Sequence, residues 1–363
     1  MSEGTGPEGP GQPLPPARVE VVQRLDPAVL PAVTDLVEAA TDADGVSPLS
    51  EHVALHLRHG GDVGALNVLV WAGDAGSAGS LAAYGHLDAT DQVEGASAEL
   101  VVDPARRRRG YGRTLVRTLL EHAPDGRLRL WAHGRGSSAA ELSRALGFVV
   151  VRELWQMRRP LHTALPAPSL PDGVTVRTFR PGEDDEAWVA LNARAFADHP
   201  EQGGWTLRDL RRRMAEPWFD PAGFFLAERA TPHGPRLVAF HWTKVHGGTD
   251  HHEHHNHHEH HNQHGHEGLG PHSHEAHGHD AIGEVYVVGV DPGEQGHGLG
   301  RAMTLVGLRH LRHRGLPTAM LYVDAGNQPA VAVYTALGFT TWDVDAMFSR
   351  PAAPAAAPAA AGR

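Results

Sequence analysis

The chain has 363 residues, of which 41% are hydrophobic and 6% aromatic, with eight Trp. That is more than one ordinary domain needs and too rich in core formers for a chain disordered throughout. A net charge of −11 argues against general nucleic-acid binding, which rests on clustered Lys and Arg. The absence of cysteine excludes disulfides, thiolate metal ligands and a cysteine nucleophile.

Residues 1–16 are Gly/Pro-rich and acidic, without the basic start and apolar stretch of a secretory signal, and read as a disordered tail. No segment approaches the ~18–20 consecutive apolar residues that span a bilayer, so a cytoplasmic, soluble protein is expected. A first domain is expected over 17–160. It starts with a strand at Val19-Glu20-Val21-Val22 and continues to an apolar strand ending at Val102. An Asp103-Pro104 break, a Gly-rich turn, an amphipathic helix, a strand, a second helix, Leu146-Gly147-Phe148 and a last strand follow. Pro166, Pro168 and Pro171 mark a linker over 161–171. A second domain is expected over 172–350, opening on another strand at Val174-Thr175-Val176. Its Arg211-Arg212-Arg213 cluster reads as a solvated helix face. Within it, residues 246–279 form a His-rich insertion, expected to be disordered. Its imidazoles suit divalent metals, but without fixed tetrahedral spacing. The Ala/Pro run over 351–363 reads as a second disordered tail.

The two domains are copies. Asp103-Pro104 and Asp291-Pro292 are 188 positions apart, as are Gly112 and Gly300. Leu146-Gly147-Phe148 and Leu337-Gly338-Phe339 are 191 apart, so only a loop's worth of length has accumulated between the copies. Alternation of strands and helices in each copy gives an α/β fold class. In both copies a strand ends at Asp-Pro and a Gly-rich turn opens a helix. That arrangement leaves backbone N–H groups free at the positive end of the helix dipole, where they suit a phosphate.

The spacing of Arg107, Gly110 and Gly112, repeated as Gln295, Gly298 and Gly300, differs from both the dinucleotide fingerprint and the nucleoside-triphosphate loop. It resembles the pyrophosphate-binding turn of the GNAT superfamily of N-acetyltransferases. The resemblance implies two tandem GNAT domains, each a mixed central sheet flanked by helices, and acetyl-CoA as co-substrate. It places coenzyme A against Leu100, Val101 and Val102, then Arg108, Arg109, Gly110, Tyr111, Gly112 and Arg113 in the first copy. In the second, the corresponding contacts are Val288, Gly289, Val290, Gln295, Gly296, His297, Gly298, Leu299, Gly300 and Arg301. A further set lies at Asn327, Gln328, Pro329, Ala330, Val331 and Ala332. The Arg106 to Arg109 cluster is expected at coenzyme A phosphates.

Longer stretches are similar to one branch of that superfamily, the mycothiol synthases: DGVSP at 44–48, LWAHG at 130–134, VRELWQMRRP at 151–160, HPEQGGW at 199–205, FHWTKVH at 240–246 and GEVYV at 283–287. This resemblance implies a tandem enzyme acting on a cysteinyl glucosaminyl-inositol amine. Its expected substrate contacts are Glu51, Glu201, Lys244, Glu284 and Tyr322. It also implies a small-molecule thiol-sugar partner; from charge and hydropathy no nucleic acid or membrane partner is expected, and a monomer is expected.

Acetyl transfer requires a neutral amine and a proton for the departing thiolate. An α-amino group with a pKa of about 8 needs only a carboxylate, acting directly or through water. Glu284, opening the strand before the second turn, suits that role. Tyr334 stands where the superfamily places its thiolate-protonating tyrosine. The first copy has Ala96 and Ser143 at these places, so only the second is expected to catalyse, and without a catalytic metal. Two features depart from the family pattern: Gly296-His297, where arginines are usual, and the insertion after Lys244. An acetyltransferase acting on another small amine or peptide terminus, or a metal-buffering protein on this scaffold, remains an alternative.

Overall fold

The computed structural model describes residues 17–59, 64–73, 79–91, 94–134, 136–197, 199–247 and 281–350. Both expected tails lie outside these residues, as does the His-rich insertion apart from His246 and Gly247. The chain forms two compact units. Unit 1 draws on Met1–Gln156, Val323–Val331 and Thr341–Arg363, and unit 2 on Met157–Tyr322 and Ala332–Thr340.

In unit 1, β1 (Ala17–Val22), β2 (Ala65–Ala72), β3 (Ser80–Asp88) and β4 (Ala96–Val102) pair antiparallel in that order. β5 (Leu128–Ala132) joins β4 in parallel. The next strand of this sheet comes from the far end of the chain. In β12 (Thr340–Ser349), Ala346 to Ser349 pair antiparallel with Ala132 to Arg129 of β5. The expected second domain closed with this strand; the structure counts residues 341–349 with unit 1 instead. Helices α1 (Leu30–Asp44) and α3 (Tyr111–His122) fill two cores. Tyr111, Leu115, Val116 and Leu119 are buried at helical spacing along α3, as an amphipathic helix on a sheet requires. Two shorter helices, α2 (Glu51–His59) and α4 (Ser138–Ala145), complete the set that bears on the site.

In unit 2, β7 (Val174–Thr178), β8 (Phe224–Arg229), β9 (Arg236–His246) and β10 (Ile282–Val290) pair antiparallel. β11 (Thr318–Asp324) adds to β10 in parallel. β6 (Val149–Pro160) runs out of unit 1, and its last residues, from Met157, count with unit 2, where the Leu161 N–H donates to the Pro317 carbonyl. Helix α5 (Asp185–Ala195) and the two-turn α7 (Leu207–Met214) cover one face, with a single turn, α6 (Pro200–Gly203), between them. Thr206 and Asp209 form a reciprocal capping box that starts α7. The core here is aromatic: Trp188, Phe224, Phe240 and Trp242 are fully buried, with Phe224 stacked on Trp242 at 4.4 Å and Trp188 edge-on to both. Such pairs add ~0.5–1.5 kcal/mol each beyond their area.

Helix α8 (Leu299–His313) lies on the sheet through Gly307. A Cβ there would stand 2.0 Å from the His241 ring. That ring is fully buried and donates from Nδ1 to the Met303 carbonyl at 2.7 Å, and burial pushes its pKa down to about 4, so it is a neutral core group. The ring cannot retreat without breaking its bond. Gly307→Ala is therefore expected to destabilise unit 2 by ~1–3 kcal/mol, the usual cost of overpacking; an unchanged midpoint in thermal unfolding would contradict this packing.

Candidate active site

The two Gly-rich turns have one backbone. Pairing of β4 with β5 stops at Ala98 and Leu130 although β4 runs on to Val102. Pairing of β10 with β11 stops at Val285 and Leu321 although β10 runs on to Val290. Each pair of parallel strands thus splays open just before the turn. Among the described pairings, the edge of Leu100, Val101 and Val102, and that of Val288, Gly289 and Val290, faces no strand on this side. A single 3-10 turn follows each Asp-Pro, with Asp103 Oδ1 accepting from Ala105 N and Asp291 Oδ1 from Gly293 N. Gly110 and Gly298 then open α3 and α8 at φ 95° and 79°, where L residues are strained. Neither helix has a side-chain cap, and the first helical bonds run from Thr114 to Gly110 and from Ala302 to Gly298. The N–H groups of Tyr111, Gly112 and Arg113, and those of Leu299, Gly300 and Arg301, therefore have no acceptor in their own helix. They form an anion cradle.

The geometry of the turn accounts for the glycine at 296. Arg107 Nε donates to the Val102 carbonyl at 3.4 Å, and Gln295 Nε2 to the Val290 carbonyl at 3.3 Å: equivalent residues latch the turn to its strand. Arg107 is also held by both oxygens of Asp44 at 2.7 Å, and Arg106 by Asp103 at 3.0 Å, so these two are engaged within the protein. Arg108 reaches only to 3.4 Å from Glu141, with its side chain 87% exposed. Its φ is +63°, and Gly296, its counterpart, has φ 81°. The position demands a left-handed residue, and glycine in unit 2 relieves that strain at the loss of one guanidinium.

In unit 1 the splay and turn open into a cavity of about 680 Å³, lined by Leu100 to Val102, Arg107 to Arg113, Trp131, His133 and residues of α4. Strand edge, cradle and arginines suit a long phosphorylated ligand such as coenzyme A. Behind it lies a buried ionic cluster that inspection of the sequence did not find. Asp345 of β12 bonds His133 Nδ1 at 3.1 Å and the Gly134 N–H at 2.9 Å. Glu99 of β4 accepts from the Ser50 N–H at 2.6 Å and stands 3.8 Å from His133 Nε2, an ion-pair distance rather than a hydrogen bond. Burial, the largest influence, opposes charge on His133. The Asp345 bond and the negative charge of both carboxylates outweigh it, pushing the imidazole up to about 10. Glu99 is held below the usual carboxylate range despite burial by His133 and Ser50.

Unit 2 differs at the same strand. β10 carries a bulge between Val285 and Val287, with Tyr286 as the extra residue, whereas β4 pairs regularly with β3. Bulges re-aim side chains. Glu284 lies directly across from Lys244, and both are buried. Lys244 Nζ sits 4.5 Å over Trp218 and 5.3 Å from the Tyr286 ring centre. Arg213 donates from Nε to Tyr286 Oη at 2.9 Å and covers Trp205 at 3.7 Å. His246, at the end of β9, reaches Glu284 Oε2 with Nε2 at 2.6 Å. Of the expected substrate contacts, the structure brings Glu284 and Lys244 together. Tyr322 is on β11 and 40% exposed, and Glu201 is on α6 with its side chain outside the described residues. Glu51 belongs to unit 1, at the start of α2. His297 is exposed on the turn. Asn327 Oδ1 accepts from Ala330 N at the head of α9 (Gln328–Ala336), a helix that also carries Pro329, Val331 and Ala332. Tyr334, on α9, packs edge-on against Phe339 at 5.9 Å, and burial pushes its hydroxyl up to about 12. Its counterpart Ser143 is buried with Oγ donating to the Ala139 carbonyl at 2.9 Å. Sequence reasoning missed His246, Trp218 and Tyr286, and it read Arg213 as part of a solvated helix face, whereas its contacts to Tyr286 and Trp205 bury it. Alternation along β9 puts Lys244 and His246 on one face and was the available signal for His246. Among the described residues, no group of His, Asp and Glu could hold a metal ion, and no helix is long and apolar enough to cross a membrane.

A splayed parallel pair feeding an uncapped, glycine-opened helix, present twice in one chain, defines a tandem of acetyltransferase-type α/β units. The profile of the Acetyltransferase (GNAT) family matches residues 40–148 and 188–339. Among relatives, a mycothiol acetyltransferase from Acidothermus cellulolyticus is 56% identical over 92% of this chain and 94% of its own, and one from Streptosporangium roseum is 52% identical over 92% and 99%. Among solved structures, a GCN5-related N-acetyltransferase from Sphaerobacter thermophilus has a TM-score of 0.57 at 25% identity, covering 92% of this chain and 96% of that one. A tandem GNAT protein from the clavulanic acid biosynthesis pathway has a TM-score of 0.61 at 19% identity, covering 93% and 100%, and shares the fold. The chain belongs to the GNAT acetyltransferase family and, within it, to the mycothiol acetyltransferases. It is an N-acetyltransferase with acetyl-CoA as co-substrate.

The unit 1 cluster has a pH signature. A histidine whose folded pKa is raised from 6.5 to about 10 contributes stability that is whole below pH ~6.5 and disappears as pH climbs through 10. The advantage of the wild type over Asp345→Asn in thermal unfolding should shrink steadily from pH 7 to pH 10. A constant difference over that range would show that His133 is not held as the cation.

Proposed function

We propose that unit 2 acetylates the cysteinyl amine of a glucosaminyl-inositol precursor, giving mycothiol and coenzyme A. The observation that carries this reading is Glu284, buried beside the splayed edge of β10 in a chain 56% identical to a mycothiol acetyltransferase. Acetyl-CoA, when bound, supplies an activated acyl thioester. The cradle of Leu299, Gly300 and Arg301 N–H groups would hold its pyrophosphate, and the open edge of Val288 to Val290 its pantetheine amides. Glu284 removes the amine proton, directly or through water, so that the nitrogen lone pair is free to form the new amide as the carbon–sulfur bond breaks. Tyr334 gives its hydroxyl proton to the departing sulfur. With its pKa pushed up to about 12, it is protonated throughout the neutral range. Lys244, Tyr322 and Glu201 are assigned to the polar groups of the thiol-sugar, where an unmet buried partner costs selectivity.

Unit 1 is read as a coenzyme A site without chemistry. Its cradle is intact, but Ala96 replaces the base and Ser143 spends its hydroxyl on a helix carbonyl. We further infer a cytoplasmic monomer.

Glu284→Gln and Tyr334→Phe should each lower kcat by ~100-fold or more, the scale of positioned proton transfer, with coenzyme A affinity retained. Mass-spectrometric detection of mycothiol from acetyl-CoA and the cysteinyl precursor reads the rate; a Glu284→Gln enzyme at wild-type speed rejects the assignment. Gly110→Val strains a φ of 95° and fills the unit 1 cradle. It is expected to remove one equivalent of bound coenzyme A in calorimetry while transfer continues, and loss of transfer instead would place the chemistry in unit 1.

A further inference from the structure

Glu284 is a flexible carboxylate directly across the strand pair from the Lys244 cation. Such a group does not hold one orientation by itself, and a base must present a defined oxygen. His246 supplies the missing constraint. In the β9–β10 register His246 faces Ile282 and Lys244 faces Glu284, so His246 is the diagonal neighbour of Glu284 on the same face. Its Nε2 lies 2.6 Å from Oε2. A carboxylate only accepts, so Nε2 carries the hydrogen and donates it. The carboxylate side chain is 9% exposed and the imidazole 37%, so the donor closes the solvent side of a buried acceptor. Lys244 is meanwhile drawn over the rings of Trp218 and Tyr286.

We propose that His246 is a positioning residue for acetyl transfer: its Nε2–H fixes Glu284 through Oε2 and leaves Oε1 to take the amine proton. This rests on Glu284 being the base. The residue ends β9 and closes the FHWTKVH stretch at 240–246, at the border of the insertion.

The test compares His246→Ala, His246→Gln and Glu284→Gln in the full-length protein, using acetyl-CoA and the cysteinyl precursor. The glutamine amide places an N–H close to the Nε2 position without a titratable ring. His246→Ala should lower kcat by about ten- to hundred-fold, the range that small misplacement of a catalytic group produces, with KM for acetyl-CoA and the unfolding midpoint unchanged. His246→Gln should recover the larger part of that loss. Wild-type kcat in His246→Ala overturns the proposal, because a surface ion pair alone would give that result. Equal losses in both variants overturn it too, since the ring itself would then be handling the proton. A slow Glu284→Gln beside a fast His246→Ala rejects the positioning role alone, whereas a fast Glu284→Gln rejects the base on which it rests.

Discussion

Two parallel strands that stop pairing before either has ended make the rest of the architecture possible. Below Ala98 and Val285 the sheet is ordinary; above them β4 and β10 each have one edge that no described strand satisfies. Backbone polar groups left so need partners from water or a ligand. The turn that follows must reverse direction through left-handed positions at Arg108 or Gly296 and at Gly110 or Gly298, and it delivers an uncapped helix at the same place. Strand edge and helix terminus thus offer successive donors and acceptors along one line, as an extended amide and pyrophosphate chain requires. The side chains only latch this geometry, as Arg107 and Gln295 do from equivalent places.

In the proposed reading the backbone holds the co-substrate, which leaves the side chains of the two copies free to diverge. In unit 2 the bulge at Tyr286 and the Lys244–Glu284 pair equip the splay with ionisable groups. In unit 1 the corresponding strand is regular, alanine stands for the carboxylate, and a cluster of Glu99, His133 and Asp345 is buried instead. His133 there is a cation locked between two anions, and a base needs an open lone pair. Under the proposed function the same fold serves proton transfer in one copy and a fixed charge arrangement in the other.

What could be read from the sequence was what the backbone imposes. Gly110 and Gly298 announce the turns because their left-handed φ values favour glycine, and apolar alternation announces β4 and β10. Glu284 was singled out through the family-like GEVYV stretch around it, since position alone would make a strand-edge glutamate a solvated charge. The pairing of β12 with β5 was not, since alternation in residues 340–349 suits either sheet and says nothing of partner. Asp345 therefore reached His133 across 212 positions without a local signal. The arginines illustrate the converse. Four in a row suggest a phosphate grip, yet Arg106 and Arg107 are held by Asp103 and Asp44, a choice that depends on which loops meet.

Buried ionic groups are costly, and a well-packed apolar set of similar volume is often as stable or more so. Stability alone does not account for Glu284 and Lys244 beside a cluster of Trp and Tyr rings. The Trp218 and Tyr286 rings stabilise the Lys244 cation through their π faces. Arg213, anchored on Trp205 and Tyr286, stiffens that ring wall from behind. The aromatic core of unit 2 thus does more than fill space. It also supplies π faces for a buried cation that lies directly across the strand pair from a buried carboxylate, which aliphatic side chains of equal volume would not provide.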